Sequence, residues 1–246
     1  MLSHKPQSRL VAIAPAPMPK HIAIIMDGNR RWARERNLPV AEGYRRGINA
    51  LRETVRAAND FGVGVLTVYG FSEENWSRPW TEINVLFDLC SAFAYQVLDE
   101  LCRDKVRVGV IGKYEVLPDK PRRALETLIE KTAGNTGVLL NLAVNYSART
   151  ELRDAVHALA DDLRNGAHSA GAIDDTTLAR YLYTKDLPDP DLLIRPGGEY
   201  RLSNFLLYQC AYTEIYVTDV CWPDFTRDQF QMAIAEFQRR QRRFGR

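Results

Sequence analysis

Between His21 and Gly47 the chain reads HIAIIMDGNRRWARERNLPVAEGYRRG, and its chemistry is concentrated in Asp27, Gly28, Arg30 and Arg31. The apolar run His21–Met26 has the character of a buried strand. If the chain then turns into a helix after Asp27-Gly28-Asn29, the free backbone N–H groups at the helix start favour anions. Arg30 and Arg31 add planar guanidinium forks suited to phosphate oxygens. Asp27 would face the phosphates its neighbours attract. That is unfavourable unless a cation such as Mg²⁺ lies between them or Asp27 enters the chemistry itself. An ordinary strand-to-helix turn with solvated arginines has the same composition, so this stretch alone leaves both readings open.

Two further stretches carry suitable groups. RPGGEYRLSN (195–204) sets Gly197-Gly198 between Arg195 and Arg201, with Ser203 close behind. A tight backbone turn flanked by cations suits a diphosphate, and a plain turn is the alternative. GFSEENWSRP (70–79) supplies Ser72, Asn75, Trp76 and Arg78. A hydroxyl, an amide, an indole and a guanidinium together can hold a polar head against an apolar body. The same segment reads as the start of a helix, with Ser77 or Thr81 as N-cap and Pro79 in the first turn.

The elements that must position these groups alternate. Strand patterns fall at His21–Met26, Val63–Tyr69, Val106–Ile111, Val138–Val144, Leu192–Arg195 and Glu214–Val217. Helical patterns fall at 41–61, 81–104, 119–133, 149–165, 175–183 and 226–243. In the first of these Tyr44, Ile48, Leu51, Val55 and Ala58 share one face; in the second Ile83, Leu86, Phe87, Cys90, Phe93, Val97, Leu98 and Leu101 do. Strand–helix alternation with nearly continuous apolar strands predicts an α/β domain. Its sheet of about six strands is mostly parallel and flanked by helices on both faces. In such sheets ligands bind at the C-terminal strand ends, where Asp27, Ser72, Asn75, Tyr146, Arg195 and Arg201 all fall.

At 246 residues the chain fits one large domain or two small ones, and no repeat or low-complexity linker divides it. We read residues 1–18 as a flexible arm, because Pro15, Pro17 and Pro19 break its apolar run, and 19–246 as one domain. The net charge of +2 gives no reason to expect a nucleic-acid partner. Cys90, Cys102, Cys210 and Cys221 form no CxxC pair, so neither a zinc site nor a disulfide framework is indicated, and a reduced cytoplasmic setting is expected. No apolar run reaches the roughly 18 residues of a membrane span. The sequence holds no GxxxxGK[ST] loop, GxSxG elbow, HExxH or complete dinucleotide fingerprint.

HIAIIMDGNRRWA resembles the first signature of the cis-prenyltransferases, the undecaprenyl diphosphate synthase family. TVYGFSEENWSRP (67–79), LNLAVNYSART (140–150) and the stretch from DPDLLIRPGGEYRLSN to VCWPDF (189–225) resemble its later motifs, in the family's order. The likeness runs from about Pro19 to the C-terminus. It implies a transferase that condenses isopentenyl diphosphate with an allylic diphosphate, farnesyl or geranyl, to form a Z-configured prenyl diphosphate. It further implies a Mg²⁺ cofactor, a homodimer, and a hydrophobic tunnel lined by the helix at 81–104. An undecaprenyl-type or medium-chain product is expected; a short-chain synthase or a non-catalytic subunit of a prenyltransferase complex are the alternatives.

The resemblance also implies roles. Gly28, Arg30 and Arg31 would hold the allylic diphosphate, and Arg195, Arg201 and Ser203 that of isopentenyl diphosphate. Asn29, Trp32, Tyr44, Ser72, Glu74, Trp76 and Arg78 would touch substrate. Asp27 and Asn75 would be catalytic, and Asp27 with Glu214 from across a subunit interface would hold the metal. An edge-strand carboxylate is the plain alternative for Glu214. Gly70 stands where a bulky residue shortens the product in the family. Arg243-Phe244-Gly245 fits an Arg-x-Gly that reaches a partner's phosphate site, and the basic tail equally suits a peripheral contact with anionic lipid. The chain departs from the pattern at Tyr44, usually a phosphate-binding His; at Val40, often Arg; at Ser147-Ala148, usually Gly-Gly; and at Pro196, often Thr.

Overall fold

The computed structural model of the chain describes residues 17–167 and 169–240. Most of the arm expected over 1–18, and Arg243-Phe244-Gly245, lie outside the described residues. The strands are β1 (His21–Ile25), β2 (Val65–Ser72), β3 (Arg107–Ile111), β4 (Leu139–Tyr146), β5 (Leu192–Pro196) and β6 (Glu214–Thr218). They form one sheet in the order β3-β4-β2-β1-β5-β6, and every neighbouring pair is parallel. The α-helices among the described residues are α1 (Asn29–Glu35), α2 (Val40–Asp60), α3 (Trp80–Arg103), α4 (Asp119–Thr132), α5 (Ala148–Arg164), α6 (Asp175–Ala179) and α7 (Arg227–Arg239).

The strands read as apolar runs because both faces of the sheet are covered. Ile22, Ile24, Leu66, Val68, Leu140, Leu192 and Ile194 pack with Val55, Val97, Leu128 and Phe230, on helices of one layer. The alternate residues Ala23, Ile25, Ala143 and Leu193 point the other way, to Tyr146, Ala148, Phe205 and Leu206. The strand order reverses at β1, which lies between β2 and β5. Such a switch point opens a crevice at the C-terminal strand ends, and Asp27 and Arg195 are the residues that border it.

Two expectations change in detail. The helix read over 175–183 ends at Ala179 and passes into turns. Neither Ser77 nor Thr81 caps α3: Pro79 takes the N-cap place with no side-chain cap, and the Ser77 hydroxyl donates to the Glu74 carbonyl at 2.7 Å. The departure at Ser147 has a clear use, since its hydroxyl caps α5 by accepting from Thr150 N.

The single apolar face read along α2 serves two purposes. Gly43, Gly47, Ala50, Thr54, Ala57 and Ala58 are buried, as small residues are where helices approach closely. Tyr44, Ile48 and Leu51, one step around, line an open cavity between α2 and α3.

At the opposite end of the sheet a polar network crosses three strands. His21 Nδ1 lies 2.6 Å from the Pro188 carbonyl and Nε2 lies 2.7 Å from Thr67 Oγ1, which also accepts from Asn141 Nδ2 at 3.1 Å. A carbonyl only accepts, so Nδ1 carries the proton and Nε2 receives the Thr67 hydroxyl. Burial pushes the imidazole pKa down to about 4, against the pull of the Pro188 hydrogen bond and Asp191.

Candidate active site

Directly after β1 the chain bends at Gly28, whose φ of +100° and contact with Cys221 leave no room for a side chain. That bend presents the Asp27 carboxylate. Its Oδ1 accepts from Gly28 N at 2.7 Å and its Oδ2 from Arg195 Nη2 at 2.7 Å. The Asp27 carbonyl is pinned by Trp222 N at 2.8 Å. Arg195 is 3% exposed, so its charge needs partners. Its Nη1 donates to Ser203 Oγ at 2.9 Å and to the Arg201 carbonyl, while its Nε has no partner. The sequence grouping of Arg195, Arg201 and Ser203 is thus one hydrogen-bonded unit, joined to Asp27 from a neighbouring strand.

Gly197 and Gly198 hold positive φ angles of 92° and 72°. A side chain at Gly197 would press on Arg31 Nη2, which donates to the Gly197 carbonyl at 2.5 Å. The turn therefore brings Arg31 of α1 against the 195–204 loop. Ser203 and Asn204 both adopt left-handed backbone, a costly state that the surroundings must enforce. Asn204 provides that: its carbonyl accepts from Ala148 N at 3.0 Å, and its amide donates to Glu74 Oε1 and Ser147 Oγ, both at 2.8 Å. Asn204 and Glu199, which pairs with Arg201 at 2.5 Å and lies 4.0 Å from Arg31, were not singled out in the sequence. The available signal is their position, Glu199 between the glycine turn and Arg201 and Asn204 directly after Ser203.

The other rim comes from α1, α2 and the 3-10 turn Glu73–Ser77. Arg78 Nη1 donates to the Tyr44 hydroxyl at 3.0 Å, which itself donates to Glu82 Oε1 at 2.5 Å. Arg30 Nε lies 3.6 Å from the same carboxylate. Burial, helped by the Glu82 hydrogen bond, pushes the Tyr44 phenol up to about 12. Asn75 Oδ1 accepts from Ser72 N at 3.2 Å, and the Ser72 side chain takes the Asn75 N–H in return, so this capping box fixes the Asn75 amide. Burial raises the Glu74 carboxyl, but hydrogen bonds from Asn204, its own backbone and Ser72 outweigh it and leave it lowered.

These groups border a cavity of about 1390 Å³. Asp27, Gly28, Asn29, Arg30, Arg31, Tyr44, Ser72, Glu74, Asn75, Arg78, Arg195, Arg201 and Ser203 all line it. Behind this polar mouth the wall is apolar, with Ile48, Leu51, Leu86, Phe87, Phe93 and Val97 between α2 and α3. Three expected residues stand elsewhere. Trp76 donates its indole N–H to Asn145 Oδ1 at 2.8 Å and packs on Phe71, Phe87 and Trp80 beneath the turn. Trp32 faces Arg36, 4.5 Å from its guanidinium. Glu214 pairs with Arg240 at 3.0 Å.

The described residues contain no cluster of three or more His, Cys, Asp or Glu arranged to hold a metal ion. Mg²⁺ is commonly held by one or two carboxylates together with substrate phosphates, and the partly exposed Asp27 beside an open cationic rim suits that mode. Glu214 of the same chain does not: it starts β6 beside Leu192, which pairs with Ile22. Asp27 lies five residues further along that direction, roughly 16 Å along the strands and two strand spacings across.

The comparisons with known proteins agree with this geometry. The sequence model of the undecaprenyl diphosphate synthase family matches residues 25–245. The isoprenyl transferase of Heliobacterium mobile is 52% identical over 233 residues, covering 95% of this chain and 90% of that protein. The isoprenyl transferase of Bacillus subtilis is 47% identical over 228 residues, covering 93% and 88%. The crystal structure of lavandulyl diphosphate synthase from Lavandula x intermedia, in complex with dimethylallyl diphosphate, superposes with a TM-score of 0.90 at 33% identity, covering 93% of this chain and 99% of that one. That of a probable undecaprenyl diphosphate synthase from Campylobacter jejuni gives 0.76 at 32% identity, covering 94% and 100%. With an acid, a buried guanidinium and a cationic rim at the mouth of an apolar cavity, and with these relatives along nearly its whole length, the chain belongs to the undecaprenyl diphosphate synthase family of isoprenyl transferases.

Proposed function

We propose that this transferase condenses isopentenyl diphosphate with an allylic diphosphate, farnesyl or geranyl, at the mouth of the α2–α3 cavity. The observation that carries the reading is the Asp27–Arg195 pair set where a cationic rim meets an apolar cavity. Two diphosphates need cations, and the growing hydrocarbon needs burial worth about 25 cal/mol per Å².

Arg195, Ser203 and Arg201 bind the isopentenyl diphosphate headgroup, with the unpartnered Arg195 Nε as a ready donor. Gly28, Asn29, Arg30 and Arg31, with Arg78 and Tyr44 opposite, bind the allylic diphosphate. Asp27 orients the phosphates and would hold Mg²⁺ together with them; that ion would supply positive charge against the departing diphosphate. The allylic C–O bond breaks with its electron pair leaving on the diphosphate, a carbon–carbon bond forms to isopentenyl diphosphate, and the proton given up passes to an acceptor near Asn75, for which the released diphosphate serves, leaving a new Z double bond. Asn75, its amide fixed by Ser72, stands beside the departing proton.

The functional unit is a homodimer that docks along the β6 edge, where Ile215 and Tyr212 are exposed, so that Glu214 approaches the metal site of the other copy. The enzyme works in the cytoplasm, with a peripheral contact at the membrane surface for its lipid product. No helix among the described residues is long and apolar enough to cross a membrane.

Incubation of the purified chain with labelled isopentenyl diphosphate and a series of allylic starters, with and without EDTA, tests this. Chain-length series of prenyl diphosphates that vanish with EDTA are expected. Absence of labelled prenyl product with every starter overturns the reading.

A further inference from the structure

Far from the diphosphate mouth the apolar cavity meets a charged group. Glu100 of α3 is 7% exposed and lines the cavity together with Arg52 and Arg56 of α2. Arg52 Nε donates to Glu100 Oε2 at 2.8 Å, with a second bond from Nη2, and Arg56 Nε reaches Glu100 Oε1 at 2.6 Å. Both carboxylate oxygens are therefore taken. The hydrogen bonds from Arg52, with those from Arg56, hold the Glu100 carboxyl below the ordinary range despite its burial, so the triad is ionised.

Its place in the fold sets what it meets. Glu82, at the mouth, contacts Arg30 and Tyr44. Glu100 follows eighteen residues later on the same helix, roughly 27 Å along its axis. Between Glu82 and Glu100 the wall is mostly apolar, formed by Leu86, Phe87, Phe93, Val97, Ile48 and Leu51, and beyond Glu100 it runs only to Asp104 and Val106 at the end of the helix. The side chains of Arg52 and Arg56 are nearly half exposed, so the triad spans from cavity to solvent across the gap between α2 and α3.

We propose that the Arg52–Glu100–Arg56 triad is the stop that sets product length in this chain. The inference rests on the functional reading above. A hydrocarbon end that reaches the triad must strip solvent from the guanidinium heads or part Glu100 from them, and it has no polar group to offer in exchange. Elongation beyond that point is therefore disfavoured, and product is released at the length that just spans mouth to triad. The stems of Arg52 and Arg56 complete the apolar wall, while their heads close it.

The test is the product-length distribution of the full chain, read beside the rate of the first condensation. Arg52→Ala/Glu100→Ala removes the clasp and shortens both side chains. Products longer by at least one isoprene unit are expected, with a first-condensation rate within about twofold of the parent, since a short starter does not reach the triad. The exchanged pair Arg52→Glu/Glu100→Arg restores the clasp with its polarity reversed and should return the parental length. If the alanine pair does not fold, Arg56→Ala, at a solvent-facing guanidinium, carries the same expectation with a smaller shift. A folded alanine pair, or failing it a folded Arg56→Ala chain, that makes products of parental length overturns the stop alone. A parent chain that consumes no isopentenyl diphosphate with any starter overturns the functional reading and the stop with it.

Discussion

The Asp27 carboxylate and the Arg195 guanidinium meet at 2.7 Å although 168 positions separate them in the chain. The contact exists because β1 and β5 are neighbours in register, with Ile24 opposite Ile194, so that Asp27, two residues beyond β1, and Arg195, near the end of β5, reach the same rim. Arg195 is buried and Asp27 is half open to the cavity. Arg195 thus holds the acid in place while leaving one side of it open to the cavity.

Asp27→Asn should keep the fold and lose turnover. The amide preserves the shape beside Gly28 and Arg195 but removes the charge. We expect kcat to fall by about 10²–10³-fold, the scale of removing one preorganised electrostatic group, while circular dichroism stays parental. Near-parental kcat would remove Asp27 from the chemistry.

Tyr44→Phe isolates the hydroxyl that links Arg78 to Glu82. Without it Arg78 loses that acceptor and keeps only its looser 3.7 Å ion pair with Glu82. The KM for the allylic diphosphate should rise about tenfold, the scale of one hydrogen bond to a charged group, with kcat little changed. Steady-state kinetics with varied starter checks this, and an unchanged KM would make the Tyr44–Arg78 contact irrelevant to binding.

Gly70→Leu should shorten the product. Gly70 lines the cavity where the β2–β4 register shifts, and a Cβ there meets only the Ala143 carbonyl at 3.5 Å and Val144 Cγ2 at 3.8 Å. Alanine therefore fits without strain, and only the larger side chain projects into the space we assign to the hydrocarbon. Thin-layer chromatography of the two variants should show parental length for Gly70→Ala and shorter chains for Gly70→Leu; equal lengths would place the hydrocarbon elsewhere.

His21 should make stability fall between neutral and mildly acid pH. Its folded pKa of about 4 lies below the ordinary 6.5 because the buried ring resists charging. Above pH 6.5 the ring is neutral in both states and its contribution is complete. As pH falls toward 4 the unfolded chain takes up a proton that the folded chain refuses. Roughly 3 kcal/mol of stability is lost across that window. Urea unfolding at pH 7 and pH 4.5 should show this loss, and His21→Asn should flatten it. Parallel pH dependence in the two proteins would contradict the assignment.

Much of this protein is dictated locally. The strand runs, the long amphipathic helices, the turn after β1 and the glycines between Arg195 and Arg201 are written in short-range periodicity and in residues with special backbone freedom. The order of the motifs pointed to the family, and the family model and relatives bear that out.

Other features belong to the folded chain. The apolar stripe of α2 is divided between sheet packing and cavity wall, because small residues admit the neighbouring elements while Tyr44, Ile48 and Leu51 look into open space. Trp76 carries a polar handle that sequence alone offers to a ligand, yet the nearest partner in space is Asn145. Within one chain Glu214 starts its strand at the end opposite Asp27, a fact of parallel register, so the two can meet only between copies. The Glu100 clasp likewise arises only when α2 and α3 are laid side by side. Sequence fixes periodicity and backbone permission over a few residues; which distant side chains meet depends on strand order and helix placement, and the tertiary structure alone supplies those.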